Sequence, residues 1–242
     1  MKMKPRRNRP GISCSLFLLL LILSGIGVCW PGASAWADSK KSASLSLLFG
    51  PVRPDKIEAR KAGVAVSWRD VYGGGNSLFS GAEWEKEIIQ KYGILAIGGG
   101  AGFIQASGKS LTSVNPPQSS GESTEFQIAP VSLNLTYRLA YFKNQFLVPF
   151  GRAGLDLYLF RERKEGDTII SGYRTGYHYA FGGALLLDWL SPESGVNLDL
   201  EWGINNTYLI FEYRYSHIND FKKKHDFDFS TETWFGGIMF EY

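Results

Sequence analysis

The stretch Trp234-Phe235-Gly236-Gly237-Ile238-Met239-Phe240-Glu241-Tyr242 decides the fold. In an extended chain, side chains alternate between the two faces. Trp234, Gly236, Ile238, Phe240 and Tyr242 therefore share one face, and Thr233, Phe235, Gly237, Met239 and Glu241 share the other. A terminal strand with one nearly all-apolar, aromatic-ended face suits a strand that closes a barrel in lipid.

Seven further segments alternate in the same way: 43–49, 78–90, 92–106, 126–141, 146–160, 173–189 and 207–217, with the last at 229–242. The clearest is 126–141. There Val131, Leu133, Leu135, Tyr137, Leu139 and Tyr141 oppose Ser132, Asn134, Thr136 and Arg138. Most segments are longer than the usual globular strand of about five or six residues. A tilted strand needs roughly 9–11 residues to cross a bilayer. Tyr137, Tyr141, Tyr177, Tyr179, Trp189, Tyr213, Tyr215, Trp234 and Tyr242 gather toward segment ends, as interfacial aromatic girdles do.

The connections alternate between long and short. Residues 53–77, 107–123, 163–172 and 218–228 are long and expected outside; the joins at Lys91 and at 143–145 are short and expected in the periplasm. Residues 190–204 break the alternation. Ser191-Pro192-Glu193 looks like a helix start, yet Val196, Leu198, Leu200 and Trp202 alternate like a strand. The expected fold is an all-β, eight-stranded, antiparallel up-and-down transmembrane barrel. A short helix is possible at 190–204, and ten strands is the alternative.

The N-terminus carries Lys2, Lys4, Arg6, Arg7 and Arg9, then the apolar run 16–23, then Ala35-Trp36-Ala37. That is the pattern of a cleaved secretory signal peptide over 1–37, leaving 38–242 as the barrel domain. Removing it takes five of the 26 basic residues and none of the 23 acidic ones, so +3 becomes −2. The apparent basicity is thus no argument for nucleic acid. Cys14 and Cys29 leave as well, which excludes disulfides and thiolate zinc from the exported chain.

Glu83, Glu85, Glu87, Arg138, Arg152, Asp156, Asp188, Glu212, Arg214 and Glu241 all fall on polar strand faces, with Arg174 and His178. An eight-stranded barrel has an interior just wide enough for side chains to fill it. The expectation is a paired ionic core in a plugged lumen rather than a charged permeation path. His178, His217 and His225 are the only histidines and lie in separate segments, so no metal site is expected. His225-Asp226-Phe227-Asp228 after Lys222-Lys223-Lys224 reads as a solvated external loop. Gly98-Gly99-Gly100-Ala101-Gly102 opens no helix, so it serves strand packing and not phosphate binding.

Together these features resemble the small outer-membrane barrel proteins of the OmpA, OmpX and OmpW type, over nearly all of 38–242. Locally, Gly50-Pro51-Val52-Arg53-Pro54-Asp55, Asp70-Val71-Tyr72-Gly73 and Gly203-Ile204-Asn205-Asn206-Thr207-Tyr208 resemble a bacterial outer-membrane barrel family of uncharacterised activity. The resemblance implies residence in the bacterial outer membrane. It also implies recognition of the C-terminal strand by the barrel-assembly machinery. In that family, 190–204 reads as a periplasmic helix or turn. Some barrels of this size hydrolyse lipid A acyl chains, and Arg214-Tyr215-Ser216-His217-Ile218-Asn219 loosely resembles their motif. That pattern puts the serine two residues after the histidine, where this chain has Asn219. Ser216 lies on the opposite strand face from His217.

The expected protein is a monomeric porin-like barrel and not an enzyme. It has no catalytic, cofactor-binding or metal-binding residues. Its role is structural or surface-interacting, through loops 53–77 and 107–123, and it contacts outer-membrane lipid and lipopolysaccharide. OmpW-like passage or binding of small hydrophobic molecules is the alternative, with Tyr158, Leu186 and Phe235 directed inward. A soluble lipid-binding barrel and a lipid A-modifying hydrolase follow behind.

Overall fold

The computed structural model describes residues 42–54, 58–61, 64–111, 119–142, 145–164, 169–221 and 228–242. The expected signal peptide at 1–37 and the 222–227 part of the basic loop lie outside these residues. The described residues form ten strands, which we number in order. They are β1 (Ala43–Val52), β2 (Glu58–Lys61), β3 (Val64–Ser67), β4 (Ser77–Ile89), β5 (Ile94–Leu111), β6 (Ser119–Arg138), β7 (Leu147–Lys164), β8 (Ile170–Leu186), β9 (Asn206–His217) and β10 (Thr231–Glu241). Helices α1 (Trp68–Tyr72) and α2 (Pro192–Trp202) and a 3-10 turn at Asp188–Leu190 complete the set.

Eight of the strands close a barrel in the order β1-β10-β9-β8-β7-β6-β5-β4, with β4 pairing back to β1. Every neighbouring pair is antiparallel. β10 closes the cylinder against β1 from Ser44↔Glu241 to Phe49↔Gly236. Beyond the ladder, Ser42 and Ala43 N–H groups donate to the Tyr242 carbonyl. Closure leaves no unpaired sheet edge, which is what lets a sheet sit in a medium without hydrogen-bond partners. Gly237 is required at this seam, because a Cβ there would lie 2.0 Å from the Leu47 carbonyl oxygen.

The burial pattern inverts that of a water-soluble domain. Along β6, Ser132, Asn134, Thr136 and Arg138 are buried, while Leu133, Leu135 and Tyr137 are exposed. Leu155, Phe181, Phe211 and Trp234 continue an exposed apolar band around the wall. Such a contiguous band marks a surface that water does not cover. Outward aromatics meet across strands within it: Tyr179 stacks on Tyr215 at 4.9 Å, and Tyr213 packs at a tilt against Trp234 at 5.0 Å.

Four expectations need correction. First, residues 190–204 hold α2, so the ten-stranded barrel falls. Pro192 opens the helix. Gly203, at φ +68°, ends it by letting the Gly203 and Ile204 N–H groups return to the Asp199 and Leu198 carbonyls. Second, Asp188 is not on an inward strand face. It sits in the 3-10 turn, where its carboxylate accepts from the Thr207 N–H at 3.1 Å. Third, 107–123 is mostly strand, since β5 runs to Leu111 and β6 starts at Ser119. Those extensions carry Ser, Gly and Thr, so they show no apolar alternation. Fourth, 53–77 is not plain loop but holds the β2–β3 hairpin and α1.

Candidate functional site

Among the described residues, chemistry-bearing side chains converge in the barrel interior. Because each strand turns every second residue inward, β4 presents Glu83, Glu85 and Glu87, β6 presents Arg138, and β7 presents Arg152 and Asp156. β8 supplies His178, β9 Glu212 and Arg214, and β10 Glu241; all ten are buried. The sequence placed these ten inside, and the structure brings them together.

Three guanidiniums tie the walls to one another. Arg138 reaches Glu241 at 2.7 Å, Glu85 at 3.4 Å and Glu87 at 3.6 Å, and donates to the Ser44 hydroxyl at 3.0 Å. Arg152 reaches Glu83 at 2.5 Å, Glu212 at 2.7 Å and Glu85 at 3.3 Å. Arg214 joins Glu83 at 2.6 Å and Glu212 at 2.5 Å, and lies over the Phe235 ring. Glu83 thus links β4 to both β7 and β9. Buried charges persist only when paired and hydrogen-bonded. Six carboxylates outnumber three guanidiniums, and neutral donors meet the excess. Thr136 donates to Glu85, Gln90 to Glu87 at 2.6 Å, and Asn206 to Glu241 at 3.0 Å. Arg174, read as a fourth inward cation, sits at the loop end beside Asp220 at 3.5 Å.

His178 and Asp156 form a pair that sequence spacing did not reveal. They are 22 residues apart but diagonal on neighbouring strands, with Nδ1 2.9 Å from the carboxylate. Gly154 lies directly between Asn134 and His178 in register. A Cβ there would meet the imidazole at 2.5 Å, so the ring lies over Gly154. Ser216, opposite His178 on β9, is therefore on the other side from the ring. His178 Nε2 has no hydrogen-bond partner among the described residues. His217 faces outward against Tyr177 at 5.2 Å, as an interfacial histidine, and pairs with Asn219 at 3.0 Å. Gly98 and Gly100 admit Glu85 and Glu83 from β4, the packing role expected of that run.

Above the ionic layer the interior is apolar. Phe126, Phe160, Phe229 and Tyr158 pack with Ile104, Ile128 and Ile218. Trp68 and Tyr72 of α1 cover them, Trp68 meeting Phe126 edge-on at 5.4 Å. The expected inward residues Tyr158, Leu186 and Phe235 are all buried. A void beside Phe79, Glu83, Asp156, Tyr158 and Arg214 has room for about one or two waters.

Helix α1 is held by Asp70, whose carboxylate accepts from both the backbone N–H and the hydroxyl of Ser67, each at 2.8 Å. The backbone bond first, then the hydroxyl bond, holds the Asp70 carboxyl below the usual carboxylate range. A depressed pKa adds stability that is complete above the ordinary value and is lost as pH falls through the folded one. Trp68 fluorescence is therefore expected to shift as pH drops below about 4, and Asp70→Asn should flatten that transition.

No family model and no curated protein matches this sequence. Solved structures do. The outer membrane protein OprG from Pseudomonas aeruginosa aligns at 12% identity over 84% of this chain and 96% of its own, with a TM-score of 0.54. This chain has the fold of a small outer-membrane barrel. Neisserial surface protein A aligns at 11% identity over 83% of this chain and 97% of its own, TM-score 0.43. Ail of Yersinia pestis, solved with the heparin analogue sucrose octasulfate, aligns at 15% identity over 84% and 97%, TM-score 0.41. At these identities the likeness is one of fold, and the fold argument rests on OprG.

Proposed function

We propose that this protein is a bacterial outer-membrane barrel, exported by a cleaved signal peptide, whose lumen is plugged by its own side chains. Its role is structural or surface-interacting, as a monomer without enzymatic activity. The barrel-assembly machinery reads its C-terminal strand, and lipopolysaccharide and phospholipid surround it. The observation that supports the plug is the triple engagement of Arg138, Arg152 and Arg214 with opposite walls. An ion crossing the barrel has to separate those pairs, at several kcal/mol each. The projecting ends of β5–β8, with the β2–β3 hairpin and α1, form the external contact surface. Purified protein in planar bilayers is expected to give no stable conductance steps; reproducible steps overturn the plug.

One observation favours the second reading, passage or binding of small hydrophobic molecules. The β1–β10 ladder ends at Phe49↔Gly236. Above it Pro51 has no N–H, and the hydroxyls of Thr233 and Thr231 donate instead to the Pro51 and Arg53 carbonyls. The seam adjoins the void through Val52, Thr231 and Phe235. Faster uptake of a hydrophobic tracer by cells making the protein supports that reading, and unchanged uptake removes it.

A further inference from the structure

Among the described residues, helix α2 packs mainly against the Asp188–Leu190 turn and β9. It is 11 residues long and includes Gly195 and Asn197, which are poor helix formers. Isolated helices shorter than about 12–15 residues are marginal in water. Val196 and Leu200, four residues apart, share one exposed side, and Trp202 stands exposed at the C-terminal end; Leu200 and Trp202 are among the most exposed apolar side chains described. Exposed apolar side chains of this size mark a contact surface.

The neighbouring surface identifies the cover. Trp189 and Leu190, in the turn leading into α2, are exposed, and Trp189 lies 5.7 Å from Phe146. Phe146 and Leu147, at the start of β7, are exposed and belong to the same rim of the apolar band as Tyr141 and Phe142. The turn that leads into α2 thus joins the exposed apolar band, at the barrel end that holds Ser42 and Tyr242. Charge narrows the lipid. Between Trp189 and Ile204 the chain has Glu193, Asp199 and Glu201 and no Lys or Arg. An anionic headgroup layer attracts basic segments and repels acidic ones.

We propose that α2 is an interfacial helix that lies in the zwitterionic phospholipid headgroup layer of the periplasmic leaflet, seating Val196 and Leu200 in lipid, with Trp202 at headgroup level at its C-terminal end. This rests on the outer-membrane reading above. Such a helix lies in the plane of the interface with its apolar side immersed. It extends the barrel's lipid contact sideways at one point of the rim.

The test uses the vesicle-inserted protein with a spin label at Leu200→Cys, the sole cysteine after residue 37. A label at Leu133→Cys in the apolar band is the reference. In zwitterionic vesicles, the ratio of lipid-soluble oxygen to water-soluble nickel-complex accessibility at 200 is expected within about twofold of that at 133. Raising the phosphatidylglycerol fraction should lower the ratio at 200 and leave 133 unchanged. Asp199→Asn with Glu201→Gln should abolish that loss. A water-accessible label at 200 beside a lipid-embedded label at 133 overturns the proposal. So does shielding at 200 that appears only when periplasmic proteins are added. If the label at 133 is itself water-accessible, the outer-membrane reading fails first.

Discussion

Arg152→Met is expected to lower the barrel's unfolding free energy by about 3–5 kcal/mol, because it strands buried carboxylates. Arg152 meets Glu83, Glu212 and Glu85 at 2.5, 2.7 and 3.3 Å. It also takes the Thr136 hydroxyl as acceptor at 3.0 Å. Glu83 and Glu212 keep Arg214, but Glu85 is left with Arg138 at 3.4 Å and the Thr136 hydroxyl. Arg152→Lys should lose less, since it keeps the charge while giving up the guanidinium fork. Combining Glu83→Gln with Arg152→Met should cost less than the sum of the two single changes, because the two side chains are in direct contact and the double change removes both members of that pair. Urea unfolding in vesicles, read by gel mobility, supplies the values. A loss under about 1 kcal/mol for Arg152→Met would show that water already reaches the network.

Leu133→Arg is the second large effect. Leu133 is 68% exposed and lies among the exposed Val131, Leu135 and Tyr137 of β6. On a water-soluble surface such a change alters stability by less than about 0.5 kcal/mol. In the bilayer midplane an arginine costs about 2–4 kcal/mol. The same substitution therefore separates a lipid-facing wall from a soluble one. Leu133→Ala serves as the control for lost side-chain area alone.

The barrel was legible because alternation is strict wherever a strand has lipid on one side and a filled lumen on the other. Leu133, Leu135 and Tyr137 against Asn134, Thr136 and Arg138 gave face, register parity and location together. Alternation fails where apolar residues are lacking. The outer parts of β5 and β6, rich in Ser, Gly and Thr, therefore read as loop. It misleads where a helix exposes apolar residues, as at Val196–Trp202. There the correct signals were local, Pro192 at the start and Gly203 after the end. Asp188 was placed inward because the strand pattern of β8 was carried past Leu186, where the chain turns. The interior charges could be identified one strand at a time, but their pairing could not. His178 with Asp156, and Arg138 with Glu241 across 103 residues, meet only because the strands tilt around a closed cylinder. Helix α1 left no periodic signal, being one turn long, although Ser67 followed by Asp70 is a capping pattern.

Closure in the outer membrane is the central claim, and gel mobility of outer-membrane fractions tests it most directly. Unboiled protein is expected to run as a compact, faster band that converts to full apparent mass on boiling. A single band indifferent to boiling, with the protein recovered in the soluble periplasm, would contradict it.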